Sequence, residues 1–216
     1  MKLKQDDILV FAGDSITDQG RAPSGEGSSH TSNWGHGYVN LVGGYLGAEY
    51  PDLRIRVINQ GINGNQSRDL LARWNQDILS KKPSWVVILI GINDVWRKFD
   101  SPYLYETHVT PEEYKENLVA MVEKTLPFTK NIVFMPPYMI ETNHADAMLQ
   151  EMQSFRGICK AVAAQYGLPC LDLQAGFDRL LACTHPMHYG WDRIHPTIAG
   201  HTMIANTLLR YLDAMK

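Results

Sequence analysis

Short apolar runs alternate along the chain with longer segments whose apolar positions recur every three or four residues. The short runs fall at 8–12 (ILVFA), 55–59 (IRVIN), 85–90 (WVVILI), 132–135 (IVFM) and 170–173 (CLDL). Several are rich in β-branched residues and lack strict polar alternation, the pattern of parallel strands covered on both faces. Helical spacing marks 38–50, 68–79 with Ser67 as N-cap, 146–165 and 196–212. A further helix opens at Thr110-Pro111-Glu112-Glu113. There a cap is followed by a first-turn proline and two acids near the positive helix end. Strand–helix alternation predicts an α/β fold with a doubly wound, five-stranded parallel sheet. Right-handed crossovers then place helices on both faces.

No repeat, linker or low-complexity tract divides the 216 residues, so one domain over 1–216 is expected. A hydrophobic fraction of 44% suffices for one sizeable core. The formal charge is −3 and the basic residues are scattered, which argues against nucleic acid as a partner. The run at 8–12 is too short for a signal-peptide core, and no small-residue cleavage site follows it. Nothing approaches the roughly 18–20 apolar residues needed to cross a bilayer. A cytoplasmic protein without membrane partners is the expectation. The three cysteines, Cys159, Cys170 and Cys183, are too few and too scattered for a disulfide framework, and the first two read as buried thiols.

In doubly wound folds ligands bind beyond the carboxyl ends of the strands, so the polar residues at those ends carry the functional signal. The first strand leads into Gly13-Asp14-Ser15-Ile16-Thr17-Asp18. This turn suits an exposed nucleophilic serine, an anion-binding loop or a plain capped turn. The second leads into Asn59-Gln60-Gly61-Ile62-Asn63-Gly64-Asn65, where a backbone N–H can face a developing negative charge or simply close a glycine-rich turn. After the third comes Gly91-Ile92-Asn93-Asp94, whose asparagine can donate to an oxyanion or bond its own loop. Trp191-Asp192-Arg193-Ile194-His195-Pro196 sets a carboxylate three residues before a histidine, within reach of Nδ1. That leaves Nε2 to take a proton from a hydroxyl. Together these ends offer the set that acyl transfer requires: hydroxyl, base, orienting carboxylate and charge stabilisation.

The blocks GDSITD, GINGN, GINDVWR and DRIHP resemble, in order, those of the SGNH (or GDSL) hydrolases. One departure is Asn63, where serine is commoner beside the oxyanion glycine. The resemblance implies Ser15, Asp192 and His195 as catalytic residues, and Ser15, Gly64 and Asn93 as the oxyanion hole. With Gly20-Arg21 after the first block, then GINDVWR and WDRIHP, the chain looks most like the intracellular acetyl xylan esterases of this family. That likeness implies a flavodoxin-like three-layer α/β/α sandwich, no cofactor or metal, a homo-oligomer, and removal of O-acetyl groups from xylan-derived sugars. Lipid, thioester and aryl-ester hydrolases share the same blocks, so other short-chain or aryl esters form the alternative.

Trp191, Trp96 and Arg97 are candidates for a sugar-stacking rim, since aromatic faces suit pyranose rings. A rival reading makes His185, His188, Asp192 and His195 the ligands of a metallohydrolase. Another uses the Gly13–Ser15 turn as the anion cradle of a non-enzymatic binder, but no phosphate-loop pattern accompanies it.

Overall fold

A computed structural model describes residues 1–24, 26 and 33–215. Strand β1 (Ile8–Gly13) runs between β2 (Arg56–Gly61) and β3 (Trp85–Leu89), and β4 (Ile132–Phe134) pairs with the far side of β3. All three pairings are parallel. The order β2-β1-β3-β4 reverses direction between β1 and β3, where doubly wound sheets open a crevice. Register places Gly13 level with both Gly61 and Leu89, so three strand ends stop at one height.

The β1 residues Leu9, Val10, Phe11 and Ala12 are all fully buried. Both faces are therefore covered, as an apolar run without alternation requires. The helices pack in two groups. One joins α2 (Tyr38–Glu49), α7 (Leu173–Leu181) and α8 (Ile198–Tyr211). The other joins α3 (Ser67–Ala72), α4 (Ile92–Asp100), α5 (Pro111–Thr125) and α6 (Ala147–Gln165). Thr110 and Asp146 cap α5 and α6 through their side chains, accepting from Glu113 N and Leu149 N. Among the described residues no helix is long and apolar enough to cross a membrane.

The expected fifth strand is not formed; the described sheet has four. Segment 170–173 makes one parallel bridge, Cys170 to Phe134, supported by Leu171 N donating to Phe134 O at 2.8 Å. Asp172 then accepts from Ala175 N and starts α7 at Leu173, so the segment turns helical before a ladder can grow. Segment 68–79 also differs. Gln66, not Ser67, is the N-cap of α3, in a capping box with Asp69. Ser67 gives both its N–H and its hydroxyl to Asp94 instead. The helix ends at Ala72 and widens into a π-turn over Trp74–Ile78, where the buried Trp74 indole donates to Thr125 Oγ1 at 3.0 Å. The final helix begins at Ile198, two residues after Pro196. Cys159 is buried as expected, Cys170 only half-buried, and Cys183 exposed. Burial pushes the Cys159 thiol upward, as for an inert core residue.

Asp14 closes β1 and is fully buried. Its Oδ1 accepts from Ile16 N at 3.0 Å, and its Oδ2 has no partner among the described residues. Burial raises its carboxyl to about 7; nearby Asp94 adds to the rise, while the Ile16 N–H and Arg73 oppose it. Burial likewise raises Asp94 to about 6. The unfolded chain loses each of these protons near pH ~4. Between there and about 7 the native state binds the extra Asp14 proton, so this carboxyl makes stability fall as pH rises through that window. Asp14→Asn should therefore gain in melting temperature relative to wild type as pH rises from about 4 to about 7, with no further gain above. A difference that stays constant with pH would contradict this account.

Candidate active site

Asp14 also shapes the turn after β1. Its carbonyl accepts from Thr17 N (3.1 Å) and Asp18 N (2.9 Å), while its side chain caps Ile16. The result is a single helical turn, α1 (Ser15–Asp18), with Ser15 at its start. Gly61 makes room for that turn: a Cβ there would lie 2.2 Å from Asp18 N. Asn59 ties the two strand ends together, donating to Thr17 O (2.6 Å) and Trp34 O (2.8 Å) and accepting from Gly61 N (2.9 Å).

Ser15 Oγ lies 2.7 Å from His195 Nε2, although 180 residues separate them. His195 Nδ1 lies 2.6 Å from Asp192 Oδ2. Asp192 Oδ1 accepts from the backbone N–H groups of Ile194 (3.0 Å) and His195 (2.8 Å). Partial burial acts to raise the Asp192 carboxyl, but the His195 ring and these two N–H groups outweigh it and hold the carboxyl below its ordinary range. An ionised Asp192 can only accept, so Nδ1 carries the imidazole proton and Nε2 is left to receive the Ser15 hydroxyl proton.

The loop that presents this pair contains a non-glycine residue in the left-handed region, Arg193, with φ 69°. Outside interactions hold it there. Its guanidinium bonds Glu141 and Asp146, each at 2.8 Å, and its carbonyl accepts from Ile140 N at 2.9 Å. Segment 138–146 thereby latches the His195 loop to the rest of the molecule.

The loop after β2 is tied to the first strand end. Gly13 O accepts from Ile62 N and from Arg73 Nη2, both at 3.1 Å, while Arg73 Nε donates to Asn65 Oδ1 at 2.7 Å. Gly64 there has φ +78°, which explains a glycine with no crowding around its Cα. Asn93, in the first turn of α4, is 1% exposed. Its Nδ2 donates to Asn65 O at 3.0 Å, joining the loops after β2 and β3.

A cleft of about 520 Å³ opens over Ser15 and His195, lined also by Asp18, Gln19, Gly20, Asn63, Trp191 and Asp192. The structure thus brings Ser15, Asp192 and His195 together. Of the three rim candidates, Trp191 lines the cleft and is 77% exposed. Trp96 packs edge-on against the His195 ring, with centroids 5.7 Å apart. Arg97 lies over the Trp96 ring and bonds Asn93 and Asp100. Of the polar lining, Asp18 and Asn63 lie within the first two motif blocks and Gln19 directly after the first, and that adjacency to Ser15 and Gly64 is the available signal. The histidines of the metal alternative do not converge. His185 Nδ1 caps its own turn at Met187 N, and His188 packs against Tyr189. Among the described residues no three His, Cys, Asp or Glu side chains are grouped to hold a metal ion.

Comparison with known proteins agrees with this geometry. The profile of the GDSL-like lipase/acylhydrolase family matches residues 11–203. An acetylxylan esterase of Geobacillus stearothermophilus is 46% identical over 211 residues, covering 97% of this chain and 95% of the relative. The crystal structure of a catalytic serine-to-alanine mutant of that organism's acetylxylan esterase superimposes with a TM-score of 0.95 at 44% identity, covering 100% of this chain and 98% of the other. LAE5, an alpha/beta hydrolase from the metagenome of Lake Arreo, Spain, gives 0.96 at 43% identity, covering 100% and 99%. A hydrogen-bonded serine, histidine and aspartate at the strand ends, matched by relatives across almost the whole chain, place this protein in the GDSL-like lipase/acylhydrolase family.

Proposed function

We propose that this carboxylic ester hydrolase removes O-acetyl groups from xylo-oligosaccharides or similar acetylated sugars, with Ser15 as nucleophile, His195 as base and Asp192 as its orienting carboxylate. The observation that carries the reading is the unbroken chain from Ser15 Oγ through His195 to Asp192, at 2.7 and 2.6 Å, on the floor of an open cleft. The sugar ester follows from the 46%-identical acetylxylan esterase and suits the polar lining by Asp18, Gln19 and Asn63.

Ser15 attacks the acetyl carbonyl as His195 Nε2 takes its proton, giving a tetrahedral oxyanion and an imidazolium stabilised by Asp192. The N–H groups of Ser15 and Gly64 and the Asn93 amide hold the oxyanion. His195 then protonates the departing sugar oxygen, leaving an acetyl-serine. Water, deprotonated by His195, releases acetate and restores the Ser15 hydroxyl. Trp191 offers the leaving sugar an aromatic face beside Asp192.

Acetate release from acetylated xylo-oligosaccharides should be rapid for wild type and lost in Ser15→Ala. Serine-dependent cleavage of aryl acetates without acetate release from the oligosaccharides would assign the protein to simpler esters. Equal activity of the two proteins would refute Ser15 as nucleophile. Asn93→Ala should lower kcat by about 10²–10³-fold, the usual loss of one oxyanion donor. Trp191→Ala should raise KM for the sugar ester while leaving KM for an aryl acetate near wild type; equal change on both would exclude stacking.

A further inference from the structure

Asn93 is the oxyanion donor most exposed to error. An asparagine carboxamide has nearly the same shape in its two flipped orientations, yet one presents two donors and the other an acceptor. A flipped Asn93 would aim oxygen at the developing negative charge. We propose that Arg97 is a positioning residue that fixes the orientation of the Asn93 carboxamide, and that its role is this rather than contact with the sugar. The proposal rests on the reading of Asn93 as an oxyanion donor.

Two bonds of opposite polarity carry it. Arg97 Nη2 lies 2.9 Å from one carboxamide heteroatom of Asn93. A guanidinium has donors only, so that atom is the oxygen. The other heteroatom lies 3.0 Å from the Asn65 carbonyl. A carbonyl only accepts, so that atom is the nitrogen. Each bond alone selects the same orientation, and the second N–H of Nδ2 is left for an incoming oxygen. The guanidinium also draws electron density from the carboxamide through its oxygen, strengthening the N–H groups as donors.

Helix α4 supplies the spacing. Asn93 and Arg97 are four residues apart, and Asp100 lies three further on, so all three share one face. Arg97 is held from the other side by an ion pair with Asp100, and its guanidinium carbon lies 4.8 Å from the Trp96 ring centroid. That same ring packs edge-on to His195. The two residues after the third strand end that resembled a sugar rim are thus engaged with the oxyanion donor and the base.

The test is kcat and KM for Arg97→Ala, Arg97→Lys, Asn93→Ala and the Asn93→Ala/Arg97→Ala double variant, on an aryl acetate and an acetylated xylo-oligosaccharide, with melting temperatures recorded. Arg97→Ala should lower kcat by about 10- to 100-fold, within the ceiling set by loss of the donor itself. The loss should be equal on both substrates, with KM near wild type. Arg97→Lys, retaining one donor, should recover part of it. The double variant should be no slower than Asn93→Ala alone, because a residue acting only through Asn93 has nothing left to position. A rise in KM confined to the sugar ester would make Arg97 a substrate contact and overturn the proposal. So would losses that multiply in the double variant, or a fully active Arg97→Ala beside a slow Asn93→Ala. Full activity in Asn93→Ala would instead overturn the oxyanion reading on which the proposal stands.

Discussion

The parallel register of the central three strands governs everything built above it. Because Gly13 pairs level with Gly61 and Leu89, the loops that follow begin at one height and within reach of one another. Backbone hydrogen bonds set that level, and a slip of one residue would offset Gly13 from Gly61 and Leu89. Asn59 and Arg73 then convert coincidence of height into a rigid joint, because each bonds the neighbouring strand end or turn. The strand-end glycines allow this closeness: the tight approach of Gly61 to the α1 turn leaves no space for a side chain.

Holding polar groups this firmly has an electrostatic cost. Asp14, Asp94, Asn59 and Asn93 are all buried at the strand ends or in the turns that follow them, and burial raises both carboxyls well above their ordinary range. The fold offsets much of this with hydrogen bonds: Asp94 takes both the N–H and the hydroxyl of Ser67, which in turn accepts from Asn117 at 2.9 Å. Asp192 shows the opposite balance, since bonds from the imidazole and two N–H groups keep it ionised beside the base. Asp14 and Asp192 thus have different proton affinities because their surroundings differ, not their chemistry.

Much of this was legible in the chain. Runs such as ILVFA and WVVILI suit buried parallel strands because they are short, rich in β-branched residues and without polar alternation. The Asp192–His195 spacing puts the carboxylate within reach of Nδ1, and the structure makes that bond at 2.6 Å. What the pattern concealed depends on tertiary partners. CLDL has the composition of a strand, but Asp172 serves better as a helix cap than as a ladder residue. Ser67 looks like a cap until a buried carboxylate 27 residues away claims it. Helix α4 is too polar on its outer face to stand out beside a catalytic motif, and the roles of Trp96 and Arg97 follow from that helix.

The 180 residues between Ser15 and His195 also bear on how the protein comes into being. As a growing chain leaves the ribosome, Ser15 emerges long before His195 does. On the proposed mechanism, the Ser15 hydroxyl therefore lacks its proton acceptor during most of synthesis. That partner arrives only with the loop carrying Asp192 and His195, so the order of translation acts as a built-in delay.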